Sequence, residues 1–199
     1  DELPLKLIEF NADTASLLPE TTALQPQVIN KAGLKPAPND LLVALEANAR
    51  LKAVAVCEAT GAAAVADDTG LEVDALGGAP GVHSARYAAD GGTGAEGDAA
   101  ANTARLLGEL AGVPAGRRTA RFRTVALVRY PDGTEVIATG TVEGHVIEEP
   151  AGDGGFGYDP VFVPVEGDGR TFAEMGDDKH AISHRGRAFR ELARYLGRS

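Results

Sequence analysis

RTARFRTVALVRY at 118–130 and TEVIATGTVEGHVI at 134–147 flank Pro131-Asp132-Gly133. Both segments are rich in β-branched and aromatic residues, and the Pro-Asp-Gly between them is a turn signal. They read as two long strands of one antiparallel hairpin. Around this hairpin the chain alternates between helical and extended patterns. Residues 3–8 (LPLKLI) read as a short first strand. Residues 40–58 carry apolar side chains at helical spacing, with Asp40 placed as the N-cap. The run AAAVA at 62–66 is too brief for a helix and reads as a buried strand ending at Asp67 and Asp68. Residues 80–89 suggest a short helix, 97–111 a longer one capped by Asp98, and 160–164 another short strand. A last helix follows Ser183 as cap, with Phe189, Leu192 and Leu196 on one face. Helices and strands mixed around a long hairpin indicate a layered α/β or α+β fold.

The 199 residues suit one domain with a substantial core. A net charge of −10 argues against a general nucleic-acid binder, which needs a basic surface to displace counterions. It leaves a nucleotide substrate open, because a divalent cation reverses the local field. The single cysteine, Cys57, lies among Ala, Val and Leu and reads as a small buried hydrophobe. A lone cysteine suits a reducing compartment, and no apolar run approaches the roughly 20 residues needed to span a bilayer. The cytoplasm is the expected location.

Three polar clusters stand out. Asp67 and Asp68 close the 62–66 run, where packing alone explains carboxylates poorly. Neighbouring strand residues face opposite ways, so one of the two is expected to point into a cleft. GDGGFGYDP at 152–160 puts four glycines around Phe156, Tyr158 and two aspartates. Glycines allow close backbone approach to a ligand, and an aromatic ring offers a stacking face. In SHRG at 183–186, His184 and Arg185 occupy the first turn of a helix, where basic side chains oppose the helix dipole. A residue choice against the local rule hints at function. Lys179 adds a cation upstream. Taken singly, each cluster also fits a turn, a loop or a solvated cap.

With these residues assembled, the chain resembles the inosine/xanthosine triphosphate pyrophosphatases. The resemblance rests on VADDTGLEVDALGGAPGVHSARY (65–87), EPAGDGGFGYDPVF (149–162) and KHAISHRGRA (179–188), in that order. It implies an α/β fold with an elongated mixed β-sheet flanked by helices, two lobes around a central cleft, and a homodimer. It implies Mg²⁺-dependent hydrolysis of a purine nucleoside triphosphate to the monophosphate and pyrophosphate. By the family pattern Asp68 is the proton acceptor and a metal ligand, and Thr69 contacts substrate. Phe156, Gly157, Tyr158 and Asp159 form part of the base and sugar pocket. Lys179 reaches phosphates or base, and His184 and Arg185 meet the base edge. Asp40 aligns with an acidic metal position that is usually Glu. The family's Ser/Thr-x-Asn-x-x-Lys grip is represented by EFNADT (9–14), where Asn11 alone fits. The pattern Glu-Asn-Ala-x-x-Lys survives as Asn48, Ala49 and Lys52. Two alternatives stay open: a nucleotide-binding relative with impaired turnover, and a phosphatase resembling the haloacid dehalogenases. The latter chemistry wants two aspartates one residue apart, whereas these are adjacent.

Overall fold

The computed structural model describes residues 41–197. The expected strand at 3–8, the Asp40 cap and the 9–14 segment lie outside them. The elements are α1 (Leu41–Thr60), β1 (Ala64–Val73), β2 (Pro80–Gly81), α2 (Tyr87–Asp90), α3 (Ala99–Glu109), β3 (Thr119–Arg129), β4 (Glu135–Val146), β5 (Phe162–Pro164), α4 (Lys179–Ile182) and α5 (His184–Leu196). The strands form one sheet in the order β2-β1-β3-β4-β5, and every pairing among the described residues is antiparallel.

The β3–β4 hairpin forms as the sequence suggests, with Leu127 opposite Ile137 and Val125 opposite Thr139. At its turn Gly133 takes φ 93°, and Asp132 accepts a hydrogen bond from the Thr134 amide. Beside it β1 pairs with β3 along ten residues. This corrects the expected strand end: β1 does not stop at Asp67 and Asp68 but runs through them to Val73. Two mid-strand carboxylates persist there because each meets a cation brought by a helix. The 80–89 segment departs from a simple helix. Ser84 Oγ donates to the Gly81 carbonyl and accepts from the Leu71 amide, which ties the segment to β1 before α2 begins.

The period-2 alternation of the strands divides the core. One face carries Ala66, Val125, Leu127 and Ile137, covered by Leu45, Ala49 and Ala53 of α1. Cys57 lies buried on the same helix. The other face presents Val65, Ala126, Val128 and Ala138 to Ala188 and Leu192 of α5. Farther along that second face, Leu71, Phe122 and Val142 join Leu106 and Leu110 and the aromatic rings of Tyr158, Phe162 and Phe172. The helix caps are as read: Asp98 accepts from the Ala101 amide and Ser183 from the Gly186 amide.

Helix α5 sits unusually close to the sheet. A Cβ on Gly140 would lie 2.0 Å from the His184 carbonyl oxygen and 2.6 Å from the Ala188 nitrogen. This approach presses the His184 ring onto Phe122, with centroids 4.5 Å apart and planes 20° from parallel. His184 Nδ1 is buried and has no partner among the described residues. Burial, reinforced by the positive charges of Lys179 and Arg185, depresses the imidazole pKa from 6.5 to about 3.

Two outcomes follow. Gly140→Ala forces α5 off the sheet and is expected to cost about 1–3 kcal/mol, read as a lowered urea midpoint; an unchanged midpoint would contradict the close approach. Between pH 6.5 and 3 the unfolded chain binds a proton at His184 that the folded chain refuses, so this residue makes stability fall as pH drops through that window. His184→Phe is expected to flatten the slope by up to about 1.4 kcal/mol per pH unit, measured as urea midpoints from pH 7 to pH 4.

Candidate functional site

Strand alternation sends Asp67 and Asp68 to opposite faces of β1. On the α1 face, Lys52 Nζ donates to Asp68 Oδ1 at 2.6 Å and Asn48 Nδ2 donates to Asp68 Oδ2 at 2.9 Å. Asn48 and Lys52 are one helical turn apart, so a single stripe of α1 delivers both donors. Lys52 also reaches the Asp67 carbonyl oxygen at 3.0 Å, which fastens α1 to the strand. A carboxylate has about four acceptor positions, so Asp68 keeps capacity beyond these two bonds.

On the α5 face, Asp67 Oδ2 accepts from Arg185 Nε at 3.0 Å, and Arg185 Nη2 lies 3.0 Å from the same oxygen. Burial pushes the Asp67 carboxyl above the usual carboxylate range, and the Arg185 charge pulls against that shift. Thr69, on the same face, shares a 2.7 Å hydrogen bond with Thr124, its partner in the strand register. Arg185 itself is 44% exposed, so its charged end is available to a ligand while its neighbour His184 is packed.

The 152–160 loop is held from below. Asp159, only 2% exposed, accepts from the Phe156 amide at 2.6 Å and from Lys179 Nζ at 2.5 Å, both at Oδ2. A Cβ on Gly155 would sit 2.3 Å from that oxygen, so the loop closes around the carboxylate only with glycine there. Tyr158 is also buried; its hydroxyl donates to the Ser84 carbonyl oxygen at 2.9 Å, and burial raises its pKa, so the proton stays on. Phe156 is 56% exposed, and with Gly157 it lines a cavity of about 480 Å³ between the loop and the first turns of α3. Thr103 and Leu107 form the opposite wall.

The described candidates on the α5 side of the sheet are thus linked rather than scattered. Asp67 touches Arg185, His184 lies against Phe122 and Phe172, and Lys179 stands 5.2 Å from the Phe172 ring while gripping Asp159. Asp68 stands on the reverse side of the strand. Asn11 and Asp40 lie outside the described residues. Reading the sequence as motifs did not single out the Asp67–Arg185 pair or the Thr124 contact. Both required the register of β1 and the position of α5; only the alternation of Asp67 and Asp68 pointed that way.

The Ham1 family model matches residues 4–195. The dITP/XTP pyrophosphatase of Nitratidesulfovibrio vulgaris is 55% identical over 149 residues, covering 74% of this chain and 72% of that protein. That of Xylella fastidiosa (strain 9a5c) is 48% identical over 174 residues, covering 85% and 83%. Among solved structures, a nucleoside-triphosphatase (dITP/XTP pyrophosphatase) of Mycobacterium abscessus superposes with a TM-score of 0.62 at 48% identity, covering 74% of this chain and 75% of that one. The Ham1 protein of Staphylococcus aureus gives a TM-score of 0.68 at 38% identity, covering 77% and 76%. With its order of elements, its linked polar clusters and a match over nearly its whole length, the chain belongs to the Ham1 family.

Proposed function

We propose that this protein hydrolyses noncanonical purine nucleoside triphosphates (ITP, dITP and XTP) to the monophosphate and pyrophosphate. The observation that carries the reading is the split at β1. Asp68 with Lys52 and Asn48 suits phosphate chemistry on one side. Arg185, held by Asp67 on the other and backed by the packed ring of His184, suits a purine edge. Relatives named dITP/XTP pyrophosphatases support the same activity. The haloacid-dehalogenase alternative falls away with family membership.

A triphosphate repels an incoming water oxygen, so hydrolysis needs positive charge on the phosphates and a base for the water proton. Lys52 is available for the first task and Asp68 for the second. Among the described residues no three His, Cys, Asp or Glu side chains converge as a cage. Magnesium does not require one, since it takes one or two carboxylates and completes its shell with phosphates and water. Asp68, with acceptor capacity to spare, fits that role, and Asp40 is the proposed second ligand. The bound ion would supply charge neutralisation of the phosphate oxygens.

Hypoxanthine and xanthine carry a 6-oxo acceptor, where adenine carries an amino donor. Donors from Arg185 and Lys179 therefore favour the former and leave ATP with an unpaired, desolvated clash. Phe156, half out of its loop, offers a face for the base. Asp159 and Tyr158 support this pocket from beneath, and Thr69 and Asn11 complete the proposed contacts. The protein is proposed to work in the cytoplasm as a homodimer, without nucleic acid; no described helix is long and apolar enough to cross a membrane.

A slower-turnover variant of this reading has its own motive. Glu9 and Thr14 stand where the family pattern has a hydroxyl residue and a lysine. Losing one charged hydrogen bond costs roughly 1.5–3 kcal/mol, or about 10- to 100-fold in rate. Thr14→Lys is then expected to accelerate turnover.

The decisive assay is pyrophosphate release from ITP, XTP, ATP and GTP with Mg²⁺. Release is expected from the first two and not from ATP, whose 6-amino group meets the donors; the GTP rate reads whether the 2-amino group is discriminated as well. Asp68→Asn is expected to lower kcat at least a hundredfold while nucleotide binding stays measurable. Orthophosphate as first product, or full turnover in Asp68→Asn, would remove the assignment.

A further inference from the structure

We propose that Asp67 is a positioning residue for base selection: it grips one edge of the Arg185 guanidinium so that the opposite edge faces the purine. The inference rests on the reading of Arg185 as a base contact. Arg185 Nε and Nη2 both lie 3.0 Å from Asp67 Oδ2. A guanidinium is planar, so holding these two nitrogens fixes its plane and the direction of the remaining N–H groups. Nη1 has no partner among the described residues, and the side chain is 44% exposed.

The pair is not the helix's only anchor. Ser183 caps α5, Arg187 donates to the Ile182 and Thr141 carbonyl oxygens, and Ala188 and Leu192 pack on β3 and β4. What the pair adds is direction. An unbound arginine samples many rotamers, and a ligand binding it must order them at an entropic cost. With the side chain 9% exposed, the Asp67 carboxylate lies largely out of water, where a cation is its only adequate partner. The two adjacent aspartates are therefore not interchangeable: the pleat gives Asp67 to α5 and Asp68 to α1.

The test uses inosine monophosphate, bound without divalent cation and followed by calorimetry, so that base recognition is separated from turnover. Asp67→Asn is expected to weaken binding about tenfold. Arg185→Gln is expected to weaken it at least as much, and the double variant no further than Arg185→Gln alone. In turnover, Asp67→Asn raises KM for ITP with kcat near that of the unaltered enzyme. Affinity within twofold of the unaltered protein, or additive losses in the double variant, would overturn the proposal. Should Asp67→Asn fail to fold, Asp67→Glu takes its place, with an intermediate loss expected and no loss fatal to the idea. A protected Arg185 Nε–H resonance, seen by NMR in the unaltered protein and lost in the Asp67 variant, reports the grip without any nucleotide. Its absence from the unaltered protein would overturn the proposal. Failure of that protein to prefer inosine over adenosine monophosphate would instead strike the functional reading and leave the resonance to decide the grip.

Discussion

The architecture hinges on neutralising two consecutive carboxylates in the middle of β1. A strand cannot send neighbouring side chains to one face, so Asp67 and Asp68 must be satisfied from opposite sides of the sheet. Helix α1 meets one with Lys52 and Asn48, and α5 meets the other with Arg185. Each helix is simultaneously held by its apolar stripe against β3 and β4. Removing either cation would leave a partly desolvated carboxylate without its counter-charge in the layer that joins the helices to the sheet.

That constraint explains features that look unrelated in isolation. Gly140 is needed because α5 must come close enough for Arg185 to reach the strand, and the close seat leaves no room for a Cβ. The same seat buries His184 as a neutral ring on Phe122, which makes its contribution to stability dependent on mild acid. The 152–160 loop repeats the device on a smaller scale. One buried carboxylate, Asp159, ties the Phe156 amide to Lys179, so loop and helix α4 share one anchor. In both places a buried aspartate pairs with a cation that is itself partly accessible.

A functional consequence is that the charges are arranged before any nucleotide arrives. Arg185, Lys179 and Lys52 all have carboxylate partners in the folded chain. A substrate then competes with, or is added to, existing pairs rather than ordering loose side chains. Preorganisation of this sort favours selectivity, because a ligand that does not match the fixed donors cannot make them rearrange to suit it.

Much of the fold was legible in the chain. The Pro131-Asp132-Gly133 turn between two β-rich runs specified the central hairpin, and Asp98 and Ser183 announced their helices, because turns and caps are local chemistry. The three motif segments were legible too, as concentrations of residue types with few structural uses. The extent of β1 was not: charge at Asp67 and Asp68 argued for a strand end, and only cations arriving from 16 and 118 residues away allow the strand to continue. For the same reason no local pattern revealed which aspartate faces which helix, or that Asp159 is buried and bonded instead of exposed. Sequence determined the elements and the inventory of reactive groups; tertiary structure decided their pairing, since a charge becomes a partner or a site only through what lies within hydrogen-bond distance of it.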